Sequence, residues 1–439
     1  MNLFILVIIL LMLTLGVIAL CNGDVIEPLP LSFASFLTVS VIAFAYNGFF
    51  GYDINSGTVL YILVALFVYA FGYIATKAIL QKTQFNKFST KLSLLPTPSK
   101  YFSVSILALG IVSFIISFRY TLGIAKTISS NVSVDNMLLY ARNAELFTTV
   151  EHNAAISIAS FFIAAAGYFY TYILIQTLVL SSQKRTVIFR KFYIEIIIII
   201  VSLLISALGT GRTFLIKYIS FVIVATYYLK YFKNRSSTFS VHSVLKTIRT
   251  MIVVLIVFFT IFQLLGITTN KTSQVSATDM LYTYSGSSII ALDRSFYTYK
   301  DDGRFLGEES FYGLYGFLNT LGCDIPNNIL HLPFIQAADG IKTNIYTSLR
   351  TYIYDFGFSG ALIIQFILGI VSAAMYVLLK RLGGNPIYLL LYAILIYGTA
   401  MQGVAEITLR NLMSITNVCL VTFYILMCIV TSVKFIKYE

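Results

Sequence analysis

Long uninterrupted apolar runs decide what this chain can fold into. Stretches such as 192–208, "FYIEIIIIIVSLLISAL", and 357–379, "GFSGALIIQFILGIVSAAMYVLL", recur along the 439 residues. Each is about 20 residues long, the length a helix needs to cross the hydrocarbon core of a bilayer. In lipid every backbone N–H and C=O has to be bonded internally, and a helix does this within one segment. The runs do not alternate in polarity as the strands of a membrane β-barrel do. Only 11% of the residues are charged, against about 25% in soluble domains. The chain therefore reads as an all-α polytopic membrane protein.

Eleven transmembrane helices are expected, with ten to thirteen compatible with the boundaries: 2–20, 29–50, 58–80, 101–118, 154–180, 192–208, 213–229, 251–267, 357–379, 387–403 and 411–433. The first run lacks a basic leader and a small-residue cleavage site, so it reads as a retained span rather than a signal peptide. The connections 81–100, 181–191, 230–250 and 380–386, the C-terminal tail and Lys77 together hold 18 of the 30 Lys and Arg residues. With eleven spans they all fall on one side, which the positive-inside rule makes cytoplasmic. One connection runs against this pattern: 21–28, "CNGDVIEP", carries two acids and no base on the same side. The organisation expected is spans one to eight over 1–267, with an extracytoplasmic loop at 119–153. A large extracytoplasmic cap follows over 268–356, between spans eight and nine. Spans nine to eleven and a cytoplasmic tail fill 357–439.

Several functions are excluded. The net charge of +12 is the positive-inside excess, which faces membrane lipids rather than nucleic acid. Four cysteines and three histidines are scattered without metal-ligand spacing, so neither a metal site nor a disulfide framework is expected. No phosphate-binding Gly-Lys loop, H-E-x-x-H or nucleophile elbow is present, which argues against ATP hydrolysis and proteolysis and for no cofactor. No acid stands inside a span away from its ends, contrary to the usual ion-coupled transporter.

The candidate site lies on the outer side. Arg212, Arg294, Arg350 and Arg410 fall at or near the outer span boundaries, and Lys342 lies in the cap. Each arginine alone reads equally well as a snorkelling or ion-paired side chain. As a set they suit a lipid phosphate or pyrophosphate, because the guanidinium fork binds phosphate bidentately and keeps its charge when desolvated. "GTGRT" (209–213) breaks the chain between spans six and seven and sets a helix N-terminus beside Arg212, which adds backbone N–H groups and a positive dipole end. Asp293 and Asp355 stand among aromatic residues and are candidate general bases, with His331 the alternative. Tyr346 and Tyr352 belong to a run of cap tyrosines that reads either as an interfacial belt or as a sugar-binding surface. Gly357 and Gly360 are expected to let the entering helix pack closely on its neighbours.

This layout, the "GRT" turn (Gly211, Arg212, Thr213) and the stretch "NIYTSLRTYIYDFGFSG" (Asn344, Tyr346, Thr347, Asp355, Phe356, Gly357, Gly360) resemble the Wzy-type oligosaccharide repeat-unit polymerases of bacterial surface polysaccharide synthesis. The resemblance implies a multi-pass protein of the bacterial cytoplasmic membrane and a membrane-embedded, metal-independent glycosyltransferase. It would transfer a glycan from undecaprenyl pyrophosphate onto a second lipid-linked repeat unit at the outer leaflet, making O-antigen or capsule. A chain-length regulator and a flippase would be its partners. The resemblance also brings Asn344 into the substrate-binding set. Two alternatives share parts of this pattern: an O-antigen ligase, and a flippase of lipid-linked oligosaccharides.

Overall fold

A computed structural model of the chain describes residues 1–47, 53–82, 94–147, 153–209, 213–233, 277–296, 306–326, 332–338 and 340–436. Its helices are α1 (Asn2–Leu20), α2 (Pro28–Asn47), α3 (Ser56–Lys82), α4 (Lys100–Lys126), α5 (Val134–Phe147), α6 (Ala154–Leu180), α7 (Arg185–Lys191), α8 (Tyr193–Leu208) and α9 (Thr213–Lys233). Then come α10 (Ala277–Leu281), a π-helical turn (Tyr282–Gly286), α11 (Ser287–Phe296), α12 (Tyr312–Thr320) and an antiparallel hairpin of β1 (Ile335–Ala338) and β2 (Ile341–Thr343). The chain closes with α13 (Ser348–Arg381), α14 (Pro386–Ala400), α15 (Thr408–Leu412) and α16 (Ile415–Ile436).

Eight of the described helices are long and apolar enough to cross a membrane. The count is nine if α7 and α8, bent by 73° at their junction, form one span. The chain is thus an all-α, multi-pass membrane protein. The expected span 251–267 lies outside the described residues. Helix α14, at 15 residues, is apolar but short.

The helices bury two apolar cores. One joins α1, α2, α3, α11 and α13, around residues such as Phe33, Leu66, Tyr69 and Leu368. The other joins α6, α8, α9, α14 and α16, around Phe169, Tyr172, Phe221, Leu389 and Tyr424. Helices α3 and α13 touch backbone to backbone. A methyl group on Gly72 would lie 2.5 Å from the Phe366 carbonyl oxygen, and one on Gly369 would strike the Tyr69 carbonyl. Small residues at such crossings let lipid-embedded helices gain dispersion contact.

The glycines expected to serve this role in α13 do something else. Gly357 has φ +71° and ψ 178°, a backbone region open essentially to glycine alone, and it kinks α13. A side chain there would meet nothing within 4 Å, and at Gly360 it would strike only Phe356 of the same helix. Helix α13 also starts nine residues before the expected span, at Ser348. Hydropathy reports where a helix meets lipid, not where it begins.

Contacts between distant segments sort the helix ends onto two faces. On the first, Lys77 at the end of α3 pairs with Glu27 before α2, and Lys380 of α13 pairs with Asp24. On the second, Asp293 of α11 caps the start of α3, and Ser288 donates to the Gly403 carbonyl at 2.6 Å. The helix ends thus form an Asp24 face and an Arg350 face.

Candidate functional site

On the Arg350 face, the first turns of α13 clamp the segment 306–311. The Arg350 guanidinium pairs with the Glu309 carboxylate. It is stacked between two rings of its own helix region, 4.4 Å from the Tyr346 centroid and 4.5 Å from that of Tyr354. One turn on, the Asp355 carboxylate accepts the backbone N–H groups of Glu309 at 3.1 Å and Ser310 at 2.6 Å. Arg350 is only 7% exposed. Burial pushes the Glu309 carboxyl above its ordinary range, against the opposing pull of Arg350. Arginine and aspartate stand here side by side because one loop needs both a countercharge and a backbone acceptor.

The other expected residues scatter around this clamp. Tyr352 is fully buried, and its hydroxyl donates to Glu406 at 3.0 Å. Glu406 also accepts the N–H groups of Leu409 at 2.8 Å and Arg410 at 2.9 Å, capping α15. Burial raises its carboxyl to about 7 in spite of these donors. The Tyr346 hydroxyl donates to the Pro333 carbonyl at 2.8 Å. The Arg410 guanidinium lies 5.1 Å from the Tyr312 ring and makes no ion pair among the described residues. Asp293 has both oxygens engaged, by the Asn55 backbone and amide at 2.9 and 3.0 Å and by Thr58 at 2.6 Å. Arg294 donates to the Gln336 carbonyl, Lys342 is exposed on β2, and Asn344 is half-buried ahead of α13. Arg212 and His331 lie outside the described residues. Arg350 and Asp355 come together; Asp293 and Arg294 sit apart from them, at the hairpin and the start of α3.

A second feature adjoins the clamp through α15. A cavity of about 630 Å³ opens in the Arg350-face half of the bundle, between α4, α6, α8, α9 and α16. Polar residues supply its walls: Ser117 and Thr121 on α4, Ser157 and Ser160 on α6, Ser202 and Ser206 on α8, and Asn411 of α15, Asn417 of α16 and Ser414 between them. Spacings of three and four residues put each of the first three pairs on one helix face. Gly209 and Thr213, the first and last residues of the "GTGRT" stretch, lie at its rim, and Glu145 of α5 brings a carboxylate to it. Lys217 projects from α9 into the cavity and donates to the Asn417 side-chain oxygen.

Glu145, Asn411 and Asn417 were not expected from the sequence. For the two asparagines, the signal that could have found them is the three-residue spacing of Asn411, Ser414 and Asn417 beside an apolar run; nothing in the sequence singles out Glu145. Such stripes mark a face turned away from lipid.

No protein-family model, curated protein or solved structure matches the chain.

Proposed function

We propose that the protein is a membrane glycosyltransferase that polymerises undecaprenyl-pyrophosphate-linked oligosaccharide repeat units into a surface polysaccharide. It would act at the extracytoplasmic side of the bacterial cytoplasmic membrane, with eleven spans. The Arg350 face would be extracytoplasmic, because the basic connections gather at the other one. The observation that carries this reading is the hydroxyl-lined cavity in that half of the bundle, with Gly209 and Thr213 at its rim and Asn411 of α15 in its wall. Polar groups are costly within a bilayer and mark a path or site for substrate.

In this reading a sugar hydroxyl of one repeat unit attacks the anomeric carbon of the glycan on the other. The new glycosidic C–O bond forms as the bond to pyrophosphate breaks. The bonding pair leaves with undecaprenyl pyrophosphate, and a base takes the hydroxyl proton. Arg212 and Arg410 supply positive charge for the leaving group. Glu145 is the carboxylate best placed as base, since it lines the cavity, whereas Asp355 and Asp293 are not among its lining residues. Arg350 supports the site by fixing the 306–311 segment.

Reconstitution of the purified protein with a synthetic undecaprenyl-pyrophosphate repeat unit tests the proposal. The expected product is a ladder of glycans on a gel. Transbilayer movement of the lipid without a ladder would make it a flippase, and transfer only to lipid A core would make it a ligase.

A further inference from the structure

Lys217 occupies an unusual position. It is the fifth residue of α9, about 6 Å along the axis from the helix start, in a segment that otherwise reads "TFLI" and "YISF". Its ammonium donates to a neutral amide oxygen, that of Asn417, and makes no ion pair among the described residues. The amide nitrogen of Asn417 is in turn held by the Asn411 carbonyl, so the oxygen is kept turned toward the lysine. Glu145, the carboxylate in the cavity lining, sits on α5 at the rim. An ammonium held among apolar helices without a countercharge is destabilising, and such groups persist where a ligand completes them.

A second, independent group points into the same cavity. Tyr397 of α14 is 4% exposed and lines the cavity wall, yet its hydroxyl has no hydrogen-bond partner among the described residues. A buried hydroxyl left unpaired is destabilising. Among the described residues the cavity thus holds a cation that makes no ion pair and a hydroxyl without a hydrogen-bond partner. Apolar residues such as Ile156 and Leu203 share its walls, which suits a headgroup that carries a hydrocarbon chain.

We infer that this cavity binds the phosphate of a lipid-borne phosphate or pyrophosphate, with Lys217 neutralising its charge and the Tyr397 hydroxyl donating to one of its oxygens. The inference deepens the functional reading above and rests on it for the identity of the lipid. It adds two residues that neither the arginine set nor the cap provides.

The test uses the full-length protein in nanodiscs, with undecaprenyl pyrophosphate, undecaprenyl phosphate and inorganic pyrophosphate as probes. Binding is read as ligand-induced thermal stabilisation and by native mass spectrometry. Undecaprenyl pyrophosphate is expected to stabilise the wild type and Lys217→Arg, and Lys217→Met to weaken it roughly tenfold or more, the loss of one charge-assisted hydrogen bond. Without ligand, Lys217→Met should melt at or above the wild-type temperature, because it removes an uncompensated charge. A lower melting temperature of the ligand-free variant, or unchanged lipid affinity, would overturn the assignment. Tyr397→Phe keeps the ring and carries the same comparison if Lys217→Met does not fold. Equal stabilisation by inorganic pyrophosphate would overturn the lipid source. Lipid binding that depends on Lys217 in a protein that forms no ladder would instead overturn the polymerase and leave this site standing.

Discussion

Asp24 and Lys380 stand 356 residues apart in the chain and meet inside the bundle, with Oδ2 and Nζ 3.3 Å apart. The same carboxylate accepts the hydroxyls of Tyr376 at 2.8 Å and Tyr227 at 2.9 Å. Beside it Glu27 pairs with Lys77 and accepts the Tyr73 hydroxyl at 2.7 Å. The Tyr376 ring lies under both cations, 4.3 Å from Lys380 and 5.1 Å from Lys77. Asp24 is 1% and Glu27 0% exposed. The acids of "CNGDVIEP", out of place among the basic connections, are counterions. They allow two lysines to enter the bundle and tie α3, α9 and α13 to the turn before α2.

Removing one partner of such a pair leaves a buried charge uncompensated, which costs about 3–5 kcal/mol. Glu27→Ala should therefore lower stability by that order, and adding Lys77→Met should recover much of it. Thermal unfolding of the detergent-solubilised variants checks this. A single variant that melts with the wild type would contradict the pairing.

The Arg350–Glu309 pair invites a double-mutant cycle. Arg350→Met strands a buried carboxylate and should destabilise by several kcal/mol. Glu309→Gln strands the guanidinium between its two rings and should cost less, since Arg350 keeps both stacking contacts. The double variant should be more stable than Arg350→Met alone. Strict additivity of the two effects would remove the clamp role and return Arg350 to the list of direct phosphate ligands.

Glu406 gives the fold a pH dependence of defined sign. Its carboxyl stands at about 7 in the folded chain against an ordinary 4.5, so the folded state binds the proton more tightly than the unfolded one. Stability then falls as pH rises between those values and levels off above about 7, by on the order of 3 kcal/mol in all. Melting temperatures measured from pH 5 to 8 should show this slope in the wild type and lose it in Glu406→Gln. A slope of the opposite sign would contradict the burial argument.

The all-α, multi-pass architecture was readable because apolar length is a local signal. The pairings were not. Arg350 and Glu309 stand 41 residues apart, and no spacing rule joins a loop acid to a helix arginine. The cavity is an intermediate case. Its stripes follow the helical period within single segments, but which stripes face one another depends on how the helices are rotated in the bundle. Gly357 was noticed for its small size, while its role lies in its backbone angles, which composition does not reveal.

That role predicts the outcome of Gly357→Ala. The φ of +71° with ψ near 180° is strained for any side chain, at about 1–3 kcal/mol. The open space around the missing Cβ offers nothing in return. Gly360→Ala keeps helical angles and only presses on Phe356. Gly357→Ala should therefore be the more destabilising of the two in parallel thermal melts, and the reverse order would contradict the kink.

Filling the cavity separates it from the Arg350 clamp as the seat of function. Among the described residues the Ser206 hydroxyl bonds only the Ser202 carbonyl of its own helix, at 2.8 Å, so losing it breaks no hydrogen bond between described helices. Leucine there would project an apolar side chain into space that the proposal assigns to the lipid-linked substrate. Ser206→Leu should fold and melt at or above the wild-type temperature, because a back-bonded serine weakens its helix slightly. It should nevertheless lose the repeat-unit ladder by roughly tenfold or more, since even a small misplacement of substrate lowers rates severely. Asp324→Asn, in the exposed segment after α12, is the control and should leave the ladder intact. An undiminished ladder from Ser206→Leu would exclude the cavity from the reaction and return attention to the segment that Arg350 holds.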